Sequence, residues 1–311
     1  MRVFITGGAG FIGSTLADRL LQRGDTVAVI DNYETGRRDN LTPSPRLEVI
    51  EGSITDAALV RGAIGDFKSD LVVHAAASYK NPENWEGDAL TNTVGTAIVA
   101  QSAKAAGVRR LVYFQTALCY GLKPLEQPIT LKHAILPGGS SYSISKTAGE
   151  QYIELSGLDF VTFRLANAYG PRNLSGPLPT FYQRLTTGKP CFVMDTRRDF
   201  IFIDDLVDCV MHAVDGKGRG AYHISSGSDF SIKELFDETV AALRINLAEP
   251  VEVRPRRPDD AYTILLDPSR TNGEFGWSVR TPLNTGVSRA IEWYKQHGIS
   301  QTFTHLTQPK N

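Results

Sequence analysis

The chain of 311 residues has little sulfur and no excess of charge. Cys119, Cys191 and Cys209 are its only cysteines, odd in number and without CxxC spacing, which excludes a disulfide framework and a thiolate zinc site. Its six histidines lack HExxH-type spacing, and His74, closing the apolar run Leu71 to Val73, reads as structural, so no metal is expected. Lys and Arg number 33 against 34 Asp and Glu, a net charge of -1 that gives nucleic acid or an anionic membrane no electrostatic claim as partner. No apolar run approaches the roughly 18 residues of a membrane span, and Met1 leads directly into the first strand without a charged and apolar leader. These absences predict a soluble, unprocessed protein of the reducing cytoplasm. With 41% hydrophobic residues the chain is long enough for one large core or two intimately joined ones.

What is present begins at Val3. Val3, Phe4 and Ile5 read as a buried strand, followed by Gly7, Gly10 and Gly13 in GxxGxxG spacing and an apolar helix pattern at Ile12, Leu16, Leu20 and Leu21. The first glycine permits a tight turn, the second lets backbone approach a pyrophosphate, and the third lets the helix pack close to its strand. The helix amino terminus, with Phe11 and Ile12, then faces the phosphates. The next apolar run, Thr26 to Ile30, ends in Asp31, at the spacing where a carboxylate meets the adenosine ribose hydroxyls. That carboxylate favours NAD over NADP, whose 2'-phosphate it would repel.

Strands and helices alternate thereafter. Strands are expected at Leu47–Ile50, Asp70–Ala75, Arg110–Gln115 and Leu158–Leu165, and helices at Ala57–Ile64, Asn92–Ala106 and Tyr142–Ser156. The small residues Ala75, Ala76 and Ala77 let a ligand lie against backbone. This order predicts an α/β fold: a doubly wound, Rossmann-type parallel sheet with ligands at the carboxyl ends of its strands. From Asn167 onward proline and glycine interrupt the chain, which predicts a smaller, discontinuous carboxyl-terminal substrate lobe. The expected division is 1–166 for NAD, with returning segments near 199–225, and 167–198 with 226–311 for substrate. Phe200–Ile203, the helix Leu206–Val214 and the strand Tyr222–Ser225 are the segments expected to return to the main sheet.

Tyr142 and Lys146, four apart in YSISK, share one helix face, and Thr116 stands at the end of the fifth strand near the nicotinamide end of a cofactor that starts at Gly7. A free phenol is protonated at neutral pH. Lys146 and the positive nicotinamide ring are expected to lower the Tyr142 pKa, while the Thr116 hydroxyl orients the substrate oxygen, giving a base for a sugar hydroxyl.

Together TGGAGFIG, Asp31-Asn32, HAAA, TNTVGT, TALCYG, YSISK, RLANAYGPR, RRDFIFIDD and PRRPDDAYTILLD resemble the extended short-chain dehydrogenase/reductase family over nearly the whole chain. Within it the chain is similar to the nucleotide-sugar 4-epimerases. The resemblance implies bound NAD, a homodimer and a UDP-sugar substrate. It makes Thr116, Tyr142 and Lys146 catalytic, adds Asn32, Ser53 and Ile54 to the cofactor contacts, and sets Asn167, Arg198 and Arg257 on the nucleotide diphosphate and Asp260 on its ribose. Ser53 stands where the family usually has an aspartate. Ala117 and Leu118 stand where its dehydratases and decarboxylating members place an acid, which weakens elimination chemistry. Its keto-sugar reductases place a cysteine where Leu118 stands; Cys119 is one position off, and on a strand it would point away.

The resulting expectation is an NAD-dependent 4-epimerase of a UDP-sugar, of the glucose/galactose or glucuronic acid type, with Lys80 and Arg172 as cations available to a C6 carboxylate. A 4,6-dehydratase, a keto-sugar reductase and a non-catalytic NAD-binding regulator remain the alternatives. The homodimer is expected through the helices Asn92–Ala106 and Tyr142–Ser156, apolar on more faces than one sheet contact covers.

Overall fold

The computed structural model describes residues 1–79, 81–257, 260–299 and 301–303. The first half alternates as the sequence predicts: β1 (Arg2–Thr6), α1 (Phe11–Arg23), β2 (Thr26–Asp31), β3 (Leu47–Glu51), α2 (Ala57–Asp66) and β4 (Leu71–His74). Then come α3 (Trp85–Asp88), α4 (Thr96–Ala105), β5 (Arg110–Thr116), α5 (Ser141–Ser156) and β6 (Asp159–Leu165). The helix expected from Asn92 differs at its start: Ala89–Gly95 forms a π-helical segment before α4 begins.

The second half holds β7 (Asn167–Tyr169), α6 (Pro177–Thr186), β8 (Phe192–Met194), β9 (Arg197–Arg198), β10 (Phe200–Phe202), α7 (Ile203–Val214) and β11 (Gly220–Ile224). It ends with β12 (Phe230–Ser231), α8 (Ile232–Leu243), β13 (Glu252–Arg254), α9 (Ser269–Phe275) and α10 (Leu283–His297). Seven strands form one sheet in the order β11-β6-β5-β4-β1-β2-β3. Every neighbouring pair in it is parallel.

Strand alternation sends side chains to two cores. From β1, Val3 and Ile5 enter one hydrophobic cluster and Phe4 the other, all fully buried. The Phe4 side is packed by Val60 and Ile64 of α2, Val99 of α4 and Ile153 of α5. The Val3 side is continuous from Leu16 of α1 through Leu206 of α7 to Tyr294 of α10, so the late helices share a core with the sheet. Of the segments expected to return, β11 does join the sheet beside β6. Phe200–Phe202 does not: it pairs with Asn167–Tyr169, the segment that follows β6, in a separate two-stranded sheet. Among the described residues no helix is long and apolar enough to cross a membrane, and no three His, Cys, Asp or Glu side chains cluster as metal ligands.

Candidate active site

A cavity of about 360 Å³ lies at the carboxyl ends of the strands, where the strand order reverses between β1 and β4. Gly7 lies in its wall at φ +66°, and a Cβ there would stand 2.7 Å from the Cα and N of Ala76. The turn is therefore pressed onto the end of β4, with Ala75 and Ala76 lining the same wall. Gly10 is the N-cap of α1 without a capping side chain, so the first amides of the helix, at Phe11, Ile12 and Gly13, face the cavity with no intrahelical acceptor. Gly13 corrects the sequence expectation: a Cβ would stand 2.2 Å from the Gly7 carbonyl oxygen, so this glycine packs the helix onto the turn itself and not onto the strand.

At the end of β2, Asp31 is buried, its Oδ2 accepting from the Ala9 amide at 2.9 Å and its Oδ1 from the Tyr33 amide at 2.8 Å. Burial raises its pKa and these amides oppose the rise. Asn32, Ser53 and Ile54 line the cavity beside it. The nearby arginines are engaged elsewhere, Arg37 with Asp39 and Arg38 with Glu51 at 2.7 Å. A bare helix terminus, a turn closed to any Cβ and a carboxylate one strand away fit a dinucleotide.

Thr116, Tyr142 and Lys146 line this cavity with the glycine turn. Thr116 opens a 3-10 turn, Ala117–Tyr120, and its Oγ1 accepts from the Leu118 amide at 3.2 Å. Tyr142 and Lys146 occupy the first turns of α5, whose N-cap Ser140 accepts from the Ser143 amide at 3.1 Å. Lys146 is buried with Nζ 4.1 Å from the centre of the Tyr113 ring. Burial lowers its pKa to about 7, opposed by Glu150 one helical turn on. Burial also raises the Tyr142 pKa, and Tyr79 and Asp88 add to the rise. The lowering expected from Lys146 together with a bound nicotinamide ring is a property of the loaded site; in the protein alone burial sets the direction, and the Lys146 ammonium is itself costly to bury.

The π-helical segment places Asn92 where its side chain crosses between elements. Its Oδ1 accepts from the Ser78 amide at 2.8 Å, while Nδ2 donates to the Ser78 carbonyl at 2.9 Å and the Ser145 hydroxyl at 3.0 Å. One buried amide thereby fixes α5 to the loop after β4. Cys119, in the 3-10 turn rather than on a strand, is fully buried, and burial pushes its thiol up to about 12.

On the opposite side the cavity is lined by Asn167, Arg198 and Asp260. Arg198 pairs with Asp260 at 2.5 Å and donates to the Ala261 carbonyl at 3.0 Å. Two of the other expected substrate residues lie elsewhere. Arg172, at φ +70°, turns onto α1, where it pairs with Asp18 at 2.6 Å and reaches the Ser14 hydroxyl at 3.2 Å, so it does not enter the cavity. Arg257 is half-buried and does not line it either. Lys80 falls outside the described residues.

Several residues of the site have no part in the sequence motifs. Gly8, in the turn but not in the cavity wall, is as constrained as the three glycines of the motif, since a Cβ would stand 2.3 Å from that of Val29. Gly176, Pro177 and Leu178 bring the start of α6 into the cavity, where Gly176 at φ +88° is an N-cap without a side chain. The Gly-Pro pair is a helix-start signal that was legible. Ser78, Tyr79 and Ile264 carry no such signal.

The model of the NAD dependent epimerase/dehydratase family matches residues 3–225. Among solved structures, the chain is similar to the Bordetella bronchiseptica enzyme WbmH in complex with NAD+, at 56% identity and a TM-score of 0.94 over 96% of this chain and 99% of that one. It is also similar to B. bronchiseptica WbmG in complex with NAD and UDP, at 44% identity and a TM-score of 0.92 over 99% of each. A UDP-glucose 4-epimerase of Mycolicibacterium smegmatis is 33% identical over 95% of this chain and 99% of its own length. Decarboxylases and a dehydratase also occur among the similar proteins. The family model spans the strand, glycine turn and α5 residues that build the cavity, and the chain belongs to the NAD dependent epimerase/dehydratase family.

Proposed function

We propose that the protein is an NAD-dependent 4-epimerase acting on a UDP-linked sugar. The observation that carries this reading is the cavity wall around Thr116: Tyr142 and Lys146 share it, and Ala117 and Leu118 follow where an elimination or decarboxylation acid is needed. The acidic side chains of the described wall are Asp31 and Glu34 at the β2 end and Asp260 paired to Arg198. Two helix starts face one cavity, those of α1 and α6, which suits two diphosphates, one of NAD and one of the nucleotide sugar. The complexes of WbmH with NAD+ and of WbmG with NAD and UDP support the same pair of ligands.

In this reading residues 1–166 with 199–225 hold NAD, and 167–198 with 226–311 hold the nucleotide sugar. Bound NAD supplies a hydride acceptor at C4 that later serves as donor. Tyr142 takes the proton of the 4-hydroxyl and returns it after the sugar has turned, and the Thr116 hydroxyl holds the substrate oxygen toward it. Lys146 and the positive charge of the cofactor offset the burial that holds Tyr142 protonated. Asn167 and Arg198 hold the substrate diphosphate, Arg198 exchanging its pairing with Asp260 as Asp260 turns to the ribose.

Incubation with UDP-glucose, UDP-glucuronic acid and their acetamido analogues, with chromatographic identification of products, tests this. A C4-inverted product without net change in NADH is expected. Release of a keto sugar, or stoichiometric use of cofactor, overturns the reading. A homodimer is part of the proposal: Val94 before α4 and Ile144, Tyr152 and Leu155 of α5 are exposed apolar residues on adjoining helices. Sedimentation as a monomer at micromolar concentration contradicts it.

A further inference from the structure

Beside Tyr142 lies a second, small cavity of about 20 Å³, room for about one water. Its wall is Tyr79, Asn81, Pro82, Asp88, Ser140 and Tyr142. Tyr79 and Tyr142 are the described residues shared by both cavities. Asp88 is the carboxylate of this wall and is 1% exposed. It ends the short helix α3, with its amide donating to the Asn84 carbonyl at 3.0 Å, and its Oδ1 accepts from the Ser78 hydroxyl at 2.9 Å. Ser141, in the first turn of α5, hydrogen-bonds the same carboxylate.

We propose that Asp88 is a positioning residue for Tyr142: it ties the loop after β4 to the first turn of α5, and its charge, in the wall of the small cavity that Tyr142 shares, adds to the burial that keeps the phenol protonated until cofactor and substrate are both in place. The inference rests on the reading of Tyr142 as the proton-transfer group. A buried carboxylate that only braced a helix start would be satisfied by its two serine hydroxyls and would not need to share a solvent-sized space with the reacting side chain. A space of about 20 Å³ holds about one water, so a charge in its wall is little screened from Tyr142. The groups facing Tyr142 among the described residues are Tyr79 from the loop after β4, Asp88 from α3, Tyr113 from β5 and Lys146 on its own helix. Lys146, one helical turn on from Tyr142, is the cation of the group, and Glu150 opposes the fall in its own pKa. Burial raises the Asp88 pKa and its serine partners lower it again.

The test is Asp88→Asn, which keeps an oxygen acceptor for the serine hydroxyls and removes the charge. Two measurements are made on the NAD-loaded protein: the pH profile of kcat/KM with the UDP-sugar that the wild type converts, and the near-ultraviolet tyrosinate titration of each protein minus the same protein carrying Tyr142→Phe. The acid limb and the Tyr142 titration are both expected to move to lower pH by about half a unit to one unit, the size of one nearby charge. A fall in activity at every pH with both midpoints unmoved shows a bracing role only and overturns the inference. If Asp88→Asn does not fold, Ser78→Ala and Ser141→Ala, which loosen the carboxylate without removing it, are expected to move the same midpoint by less; no movement overturns the proposal. Should Tyr142→Phe itself retain normal turnover, the functional reading fails. Should it abolish turnover while the midpoint in Asp88→Asn stays fixed, the inference about Asp88 fails alone.

Discussion

At the β1-α1-β2 end of the cleft the ligand surface is backbone: the Gly7 turn at φ +66°, the open amides of α1 and a carboxylate held by two main-chain amides. At the other end it is side chains, Asn167, Arg198 and Asp260, delivered by β7, β9 and a loop some sixty residues further on. The first surface comes mostly from about 30 consecutive residues and needs two strand pairings to be correct, β1 with β2 and β1 with β4. The second exists only when β9, β12 and the loop before α9 have docked on one another, with Arg198 tied to Asp260 and Arg197 to Asp229. Local geometry makes the end proposed for the cofactor tolerant of changes elsewhere and intolerant of a single added methyl. Distributed side chains make the end proposed for the sugar nucleotide the reverse.

The largest effect is expected at the seam between the two ends. Tyr142→Phe removes one hydroxyl and keeps the helix face, so turnover should fall ~100- to 10,000-fold while NAD affinity, measured by calorimetry, changes little. Equal losses of both would place Tyr142 in the cofactor contacts alone. Next, Arg198→Ala should weaken UDP binding by about 10- to 100-fold, the worth of a charge-assisted contact, and leave NAD binding within error. Gly7→Ala should do the opposite, weakening NAD by about tenfold or more, since the residue must hold a left-handed conformation against Ala76; unchanged NAD affinity would break the comparison.

The smallest effects are pH slopes of opposite sign. His74, between the Thr6 and Thr96 hydroxyls at 2.6 and 2.8 Å, is pushed down to about 3 by burial. Its folded pKa lies below the unfolded value near 6.5, so its contribution is present above that pH and is lost as pH falls toward 3. Asp199, under Arg198, is pushed up to about 6 by burial despite bonds from Ser225 and Ser226. Its folded pKa lies above the unfolded value near 3.9, so its contribution is present below that pH and is lost as pH rises toward 6. Each slope is about 1.4 kcal/mol per pH unit within its window. Urea midpoints between pH 4 and 6 should show a steeper acid loss in Asp199→Asn and a shallower one in His74→Gln; parallel curves would contradict both assignments.

The sequence by itself determined the alternation of β1 through β6, because apolar runs of strand length separated by amphipathic helices leave a parallel sheet as the one way to bury both faces. It also determined the glycine turn, Asp31 and the Tyr142–Lys146 face, since each depends on spacing within one turn or one strand. Other features depend on contacts between distant segments. Arg172 and Arg198 are both arginines in polar loops, and only the path of the chain turns one onto Asp18 of α1 and the other into the cavity. Phe200–Phe202 has strand composition, but its partner is Asn167–Tyr169 outside the main sheet, while Gly220–Ile224 takes the place beside β6. The Tyr142 pKa followed the same rule: spacing set its distance from Lys146, while burial beside Tyr79 and Asp88, contributed by distant segments, set the direction of the shift. Long-range contacts carry no local pattern, so charge pairing, strand partnership and desolvation become readable only once the chain has closed on itself.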